Sequence, residues 1–103
     1  MNHEETIESE IQAKGLNAPR LNPEHIDSVI DGEDYYVFPG TTKTVCCLTL
    51  RNGFTVIGES SAVSLANFDE EIGRKVARND ARNKIWQLEG YLLRERLSRE
   101  QVR

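Results

Sequence analysis

The sequence contains no long run of apolar residues. Hydrophobic residues make up 38% of the chain and are interspersed with charged residues, which make up 29%. A helix that crosses a bilayer needs about 20 consecutive, mostly apolar residues, so we expect no association with membranes. Repetitive and low-complexity tracts are also missing. The 103 residues leave room for one core only, so we expect a single domain over residues 1–103.

Cysteine and histidine are scarce, with two of each. Cys46 and Cys47 are adjacent in a predicted strand, so their side chains point to opposite faces and cannot readily form a disulfide. His3 and His25 have no further ligand residue at a metal-binding spacing, although zinc normally needs three or four ligands. We therefore expect free thiols, no metal and no other cofactor.

We also expect no secretory leader, because residues 1–13 are polar and acidic. This favours a reducing, cytoplasmic environment. The spacing also defines no nucleophile with a positioned base and no pair of carboxylates held across a cleft. We therefore expect a protein that is not an enzyme.

The sequence also lacks a surplus of basic residues. Thirteen Lys and Arg residues against 17 Asp and Glu residues give a net charge of -4, which argues against nonspecific binding of nucleic acid. The charge is uneven: residues 1–66 hold four basic and ten acidic residues, and residues 67–103 hold nine basic and seven acidic residues. Either the two halves attract each other within the fold, or the second half presents a basic surface.

Two short helices are predicted near the start of the chain. The first covers residues 4–14 and stops at Gly15, and residues 1–15 are expected to be frayed. The second covers residues 22–30, with Pro23 in its first turn.

A small antiparallel sheet is predicted to follow. Residues 35–38 form a short aromatic strand, and residues 44–50 and 54–58 flank Asn52 and Gly53. Asn-Gly between two β-rich runs is the strongest short-range hairpin signal and predicts a two-residue turn.

That turn would place Thr49 opposite Val56, and Leu48 opposite Ile57. Both faces of the hairpin are then apolar, and one helix can cover only one of them. The other face must be covered by the N-terminal helices or by a second subunit.

The chain ends in a long predicted helix from Phe68 to about Leu97, with Asn67 and Glu70 as its capping box and residues 98–103 as a flexible tail. The overall prediction is an α+β fold with a small antiparallel sheet around the Asn-Gly hairpin, two short N-terminal helices and one long C-terminal helix. The apolar positions of the long helix lie on different sides, which predicts a kink or, preferably, two halves with different packing partners.

Small residues recur every four positions along this helix and would let another backbone approach closely. Together with the two-faced hairpin, they predict a homo-oligomer. The candidate interface residues are Gly73, Ala77, Ala81 and Leu88.

A basic ridge also runs along the helix. Guanidinium groups spaced by four could bind phosphates while an indole stacks on a base. However, an acid stands four positions before a base in three pairs along this helix, as on an ordinary ion-paired helix face. These pairs are Glu70 and Arg74, Glu71 and Lys75, and Asp80 and Lys84. A third possibility is that the same residues bind a protein. The arginine ridge, as we call it, consists of Arg74, Lys75, Arg78, Arg82 and Trp86.

Three stretches carry a resemblance to a known family: AKGLNAPRLNPEHID, TVCCLTLRNGFTVIGES and NFDEEIGRKVARNDARNKIWQLEGYLLRERL. They resemble small tailed-phage and prophage proteins known from the phage N4 gene 49 product and the phage Sf6 gene 66 product. The resemblance covers roughly residues 11–97. Gln87 stands where many relatives have proline, which favours a continuous helix.

The resemblance implies a phage accessory protein in the host bacterial cytoplasm. No catalytic residues carry over from the family. Such a protein would bind a host protein or sequester a small anionic, nucleotide-type ligand, with the arginine ridge as the candidate surface. The alternatives are a nucleic-acid-associated regulator and a virion or assembly component.

Overall fold

The computed structural model describes residues 3–101 and contains a three-stranded antiparallel sheet with strand order β1-β2-β3. This architecture confirms the predicted α+β class. In chain order the elements are α1 (His3–Ala13), α2 (Pro23–Ser28), β1 (Ile30–Val37), β2 (Lys43–Leu50), β3 (Thr55–Ser61), a 3-10 turn (Leu65–Asn67) and α3 (Glu70–Gln101).

The second helix begins where the sequence predicts and ends early. The Asn22 side chain accepts a hydrogen bond from the His25 backbone N–H at 2.8 Å, which caps the first turn. The helix then stops at Ser28, and β1 starts at Ile30 instead of residue 35. The predicted boundaries were wrong because long-range pairing with β2 outweighs the local turn signal at Gly32, where the register shifts by a bulge.

The hairpin turn has three residues, 51–53, rather than two. Leu50 and Phe54 are joined by a backbone hydrogen bond of 2.7 Å, and the Gly53 N–H donates to the Leu50 carbonyl at 2.8 Å. A two-residue type I′ turn needs a positive φ at both central residues. Here φ is positive at Gly53 (+90°) and not at Asn52, so the chain takes the longer loop.

The longer loop shifts the register by one residue, so the predicted pairing was wrong. Leu48 lies opposite Val56, and Ile57 lies opposite Cys47. Because side chains alternate between faces, Val56 joins the buried side chains of β2. This buried side, which we call the covered face, carries Cys46, Leu48, Leu50 and Val56.

Helix α3 lies directly against β3 on the covered face. Ala77 and Ala81 are fully buried, and a Cβ added at Gly58 would overlap the Ala77 carbonyl oxygen and the Ala81 backbone nitrogen. The small residues of the helix therefore do allow a close backbone approach, but they approach the sheet of their own chain. Ala77 and Ala81 have no surface left for a second copy.

The other two candidate interface residues also contact their own chain. A Cβ at Gly73 would lie 2.9 Å from the Thr44 hydroxyl oxygen, and Leu88 packs against the core formed by α2, the sheet and α3. Oligomerisation stays a prediction, as do interface roles for Gly73 and Leu88, which are only partly buried.

The long helix is continuous from Glu70 to Gln101. Its first turn is capped by Asp69, whose carboxylate accepts a hydrogen bond from the Ile72 N–H at 2.9 Å. The predicted cap, Asn67, ends the preceding 3-10 turn instead. The helix thus extends into the predicted tail, of which residues 102–103 lie outside the described part.

Candidate functional site

Arg82, in the middle of the arginine ridge, is only 8% exposed. Its Nε donates to Asp27 at 2.8 Å, its Nη1 to Glu4 at 2.7 Å, and its Nη2 to the Pro23 carbonyl at 3.3 Å. The Trp86 indole N–H donates to the same Glu4 carboxylate at 3.3 Å. The hydrogen bond that Arg82 donates to Glu4, more than any other contact, raises the pKa of Arg82. This guanidinium joins α1 and α2 to α3.

Arg78 reaches the sheet. Its Nε donates to the Glu33 carboxylate at 2.6 Å, and the Tyr35 hydroxyl donates to the same oxygen at 2.8 Å. The hydrogen bond from Tyr35, followed by that from Arg78, lowers the pKa of Glu33. Burial, with the Glu33 contact, raises the pKa of the Tyr35 hydroxyl. The guanidinium of Arg74 lies 5.2 Å from the centre of the Tyr35 ring. This network fills the space above β1.

The two remaining cations of the ridge form pairs along the helix. Arg74 contacts Glu70 at 3.0 Å, and Lys75 contacts Glu71 at 3.4 Å. Both pairs have the predicted spacing of four. They are exposed to solvent, where an ion pair contributes at most about 1 kcal/mol.

Every cation of the ridge therefore has an acidic partner. Arg78 and Arg82 pair with acids from the first half of the chain. These contacts support the interpretation that the two halves attract each other. The neighbouring groove, with a volume of 560 Å³, is lined by Glu4, Glu5 and Asp27 as well as by Arg78 and Arg82. It has no surplus of positive charge for an anion.

The other side of the sheet is not covered by any helix of residues 3–101. We call this side the open face, defined by Tyr36, Phe38, Val45, Cys47 and Ile57. Tyr36 is 54% exposed and Ile57 is 43% exposed. The rings of Tyr36 and Phe38 meet edge to face with their centres 4.9 Å apart. The sequence predicted an apolar second face, but it did not predict the contribution of β1.

Charged residues border the open face. Lys43 and Glu59 form an ion pair of 3.0 Å across β2 and β3. The carboxylate of Asp34, which lies opposite Cys47 in the register, has no hydrogen-bond or ion-pair partner among the described residues. Within residues 3–101, the unpaired charge beside the apolar centre of this face is therefore negative.

Within residues 3–101 no three His, Cys, Asp or Glu side chains are grouped so that they could hold a metal ion. His25 contacts Glu89 at 2.7 Å. Cys46 is buried and Cys47 is partly exposed, and both are free thiols. No helix in the same part of the chain is long and apolar enough to span a membrane.

The model of one protein family, the phage protein (N4 Gp49/phage Sf6 gene 66) family, matches residues 21–97. The chain belongs to this family of phage proteins. The matched region includes α2, the whole sheet and most of α3. No curated protein and no solved structure matches the chain.

The family match places the open face, Asp27 and Arg82 inside the shared region. Glu4, the second acidic partner of Arg82, lies outside it, because α1 precedes residue 21. Arg82 therefore pairs with one acid inside the family region, Asp27, and with one acid on the preceding helix α1, Glu4.

Proposed function

We propose that this phage protein is a non-enzymatic accessory protein that acts in the host bacterial cytoplasm by binding a host protein through the open face. One observation carries the proposal: the open face exposes aromatic and aliphatic side chains on one side of the sheet, and no described segment covers them. Contiguous exposed apolar patches on small proteins commonly mark protein-interaction sites.

The composition of the open face fits a protein partner. Tyr36 and Phe38 are aromatic residues, which are enriched among the residues that dominate binding energy. A border of charged and polar residues surrounds the apolar centre, as in interfaces that form and dissociate. The strands on which these side chains stand are fixed by two backbone ladders, so the surface is preformed.

The charges indicate the chemistry of the partner. Lys43 and Glu59 neutralise each other, which leaves the Asp34 carboxylate as the available charge. A complementary surface would present apolar side chains flanked by an arginine or lysine that reaches Asp34. Charge complementarity of this kind favours one partner over others.

The arginine ridge offers less support for a small anionic ligand. A phosphate at Arg82 would have to displace Glu4 and Asp27 from a guanidinium that is almost fully buried. The same pairing weakens the nucleic-acid alternative, because binding to a phosphate backbone depends on cations that are free to contact it.

The test is affinity capture from infected host cells with three forms of the full chain. The wild type is compared with the double variant Tyr36→Lys/Ile57→Lys and with the control Val63→Lys, which changes a fully exposed apolar residue outside the sheet. We expect one host protein to be captured by the wild type and the control and lost with the double variant.

Calorimetry with the purified partner then completes the test. We expect the double variant to weaken binding by at least about tenfold, equivalent to about 1.4 kcal/mol, and Asp34→Lys to weaken it as well. Equal binding by the double variant would overturn the proposal. Co-purification with virions would support an assembly role instead, and retention on DNA with a steep salt dependence would support the nucleic-acid alternative.

A further inference from the structure

The two edges of the sheet differ. In β3, the backbone groups of alternate residues point away from β2. The Glu59 N–H donates to the Asp80 carboxylate at 2.9 Å, and the Ile57 carbonyl accepts a hydrogen bond from Lys84. Asp80 and Lys84 are four residues apart on α3, so one face of the helix supplies both contacts. These side chains block the β3 edge.

The β1 edge has no such protection. The Phe38 N–H bonds to the Lys43 carbonyl, and bonded pairs alternate along an antiparallel ladder. The outward backbone groups of β1 are therefore those of Glu33, Tyr35 and Val37. None of these N–H and C=O groups has a partner in the part of the chain that the structure describes.

The position of α3 leaves this edge accessible. The helix packs over β2 and β3, and it reaches β1 through the long side chains of Arg74 and Arg78. The strand contains no proline and no lysine, which are common devices that prevent edge pairing. Its bulge lies at the Ile30/Gly32 end, outside residues 33–37, and the charged residues within 33–37 are Glu33 and Asp34. An open edge of this length is a template for another strand.

We propose that a second copy of this chain pairs with the β1 edge, antiparallel and centred on Tyr35, to form a six-stranded sheet across a two-fold axis. In this register the outward groups of Glu33 meet those of Val37 in the second copy, and Tyr35 meets its own equivalent. All outward groups of the three residues are then bonded. The inference does not depend on the proposed binding of a host protein.

The charges favour this register and a second copy. Glu33 and Asp34 lie in the first half of the pairing segment, so in the antiparallel pair they stand opposite Val37 and Tyr36. A pair centred on Glu33 would instead oppose two carboxylates, which is destabilising. The paired tyrosines add an aromatic contact between the strands.

The test is sedimentation equilibrium of the wild type and of two proline variants over a wide concentration range. Val37→Pro removes an outward N–H and leaves the ladder to β2 intact, because that N–H does not point toward β2. Ser61→Pro makes the matched change on the β3 edge. We expect dimers for the wild type and Ser61→Pro, and a monomer for Val37→Pro.

Amide hydrogen exchange of the wild type provides a measurement that does not depend on the folding of a variant. We expect the N–H groups of Tyr35 and Val37 to be protected at concentrations where the dimer forms and to exchange at least about tenfold faster on dilution. A monomeric wild type, fast exchange of these amides in a dimer, or unchanged dimerisation of a folded Val37→Pro variant would overturn the inference. Protection that requires a host protein would show that another chain occupies the edge.

Discussion

Gly58 on β3 lies so close to Ala77 on α3 that a Cβ at residue 58 would overlap the Ala77 carbonyl oxygen. This contact sets the distance between the helix and the sheet. It also brings Asp80 and Lys84 within reach of the β3 edge. The glycine thus helps to determine which face and which edge of the sheet are available to partners.

Gly58→Ala should destabilise the protein strongly, because the methyl group meets backbone atoms that can move only with the helix. Overpacking of this kind costs about 1–3 kcal/mol or more. Gly90→Ala is the matched control: its Cβ would lie 3.8 Å from the nearest Leu21 atom, and alanine in a helix gains up to about 1 kcal/mol over glycine. In urea unfolding, Gly58→Ala should lower the midpoint urea concentration and Gly90→Ala should raise it. Similar midpoints for both variants would contradict the described packing.

Thr44→Val should stabilise the fold. The Thr44 hydroxyl is fully buried and has no hydrogen-bond partner among residues 3–101. A buried group without a partner costs about 1–3 kcal/mol, and valine has nearly the same shape. Thr42→Val is the control, because the Thr42 hydroxyl donates to the Ala62 carbonyl at 2.6 Å and its removal should destabilise. Thermal unfolding would measure both changes, and a lower midpoint for Thr44→Val would refute the assignment.

Arg82→Lys should destabilise the protein although it keeps the charge. An ammonium group cannot reproduce the guanidinium fork that contacts Asp27, Glu4 and Pro23. We expect a loss of about 1–3 kcal/mol, since a charged hydrogen bond contributes about that much. Lys75→Ala, at an exposed pair, should change stability by less than about 0.5 kcal/mol. The backbone amides of α1 should exchange hydrogen faster in Arg82→Lys than in the wild type, and at the wild-type rate in Lys75→Ala.

Acid should weaken the fold partly through Glu33. The pKa of Glu33 is lowered in the folded protein, so the ionised carboxylate stabilises the fold above the unfolded pKa of about 4.3. That contribution disappears as the pH falls through the lower, folded pKa. Glu33→Gln should therefore show a smaller loss of stability between about pH 5 and pH 3. Tyr35→Phe, which removes only one of the two hydrogen bonds to Glu33, should give an intermediate slope. Identical pH profiles for all three proteins would contradict this role.

Local sequence signals predicted much of this fold. The alternation in β2 and the Asn-Gly pair predicted a hairpin, and the spacing of four predicted the pairs of Arg74 and Lys75. The turn type depends on the φ angle of Asn52, which neighbouring residues do not determine. The start of β1 was missed because its pairing with β2 overrides a turn-like local sequence.

The candidate site was harder to predict, because its contacts join distant segments. Nothing near Arg82 in the sequence indicates that it meets Glu4 and Asp27. Asp80 and Lys84 have the spacing of an ion pair, yet they bond to the backbone of β3. The open face could be anticipated from the two-sided hairpin, whereas its full extent depended on the length of β1.

The central claim is that partners bind the open face and not the arginine ridge. Its most direct test is titration of the captured host protein with two variants that each change exposed side chains. Tyr36→Lys/Ile57→Lys alters the open face, and Arg74→Glu/Lys75→Glu alters the ridge. Our account predicts at least about tenfold weaker binding for the first and unchanged binding for the second. Unchanged binding for the first, with loss for the second, would contradict it.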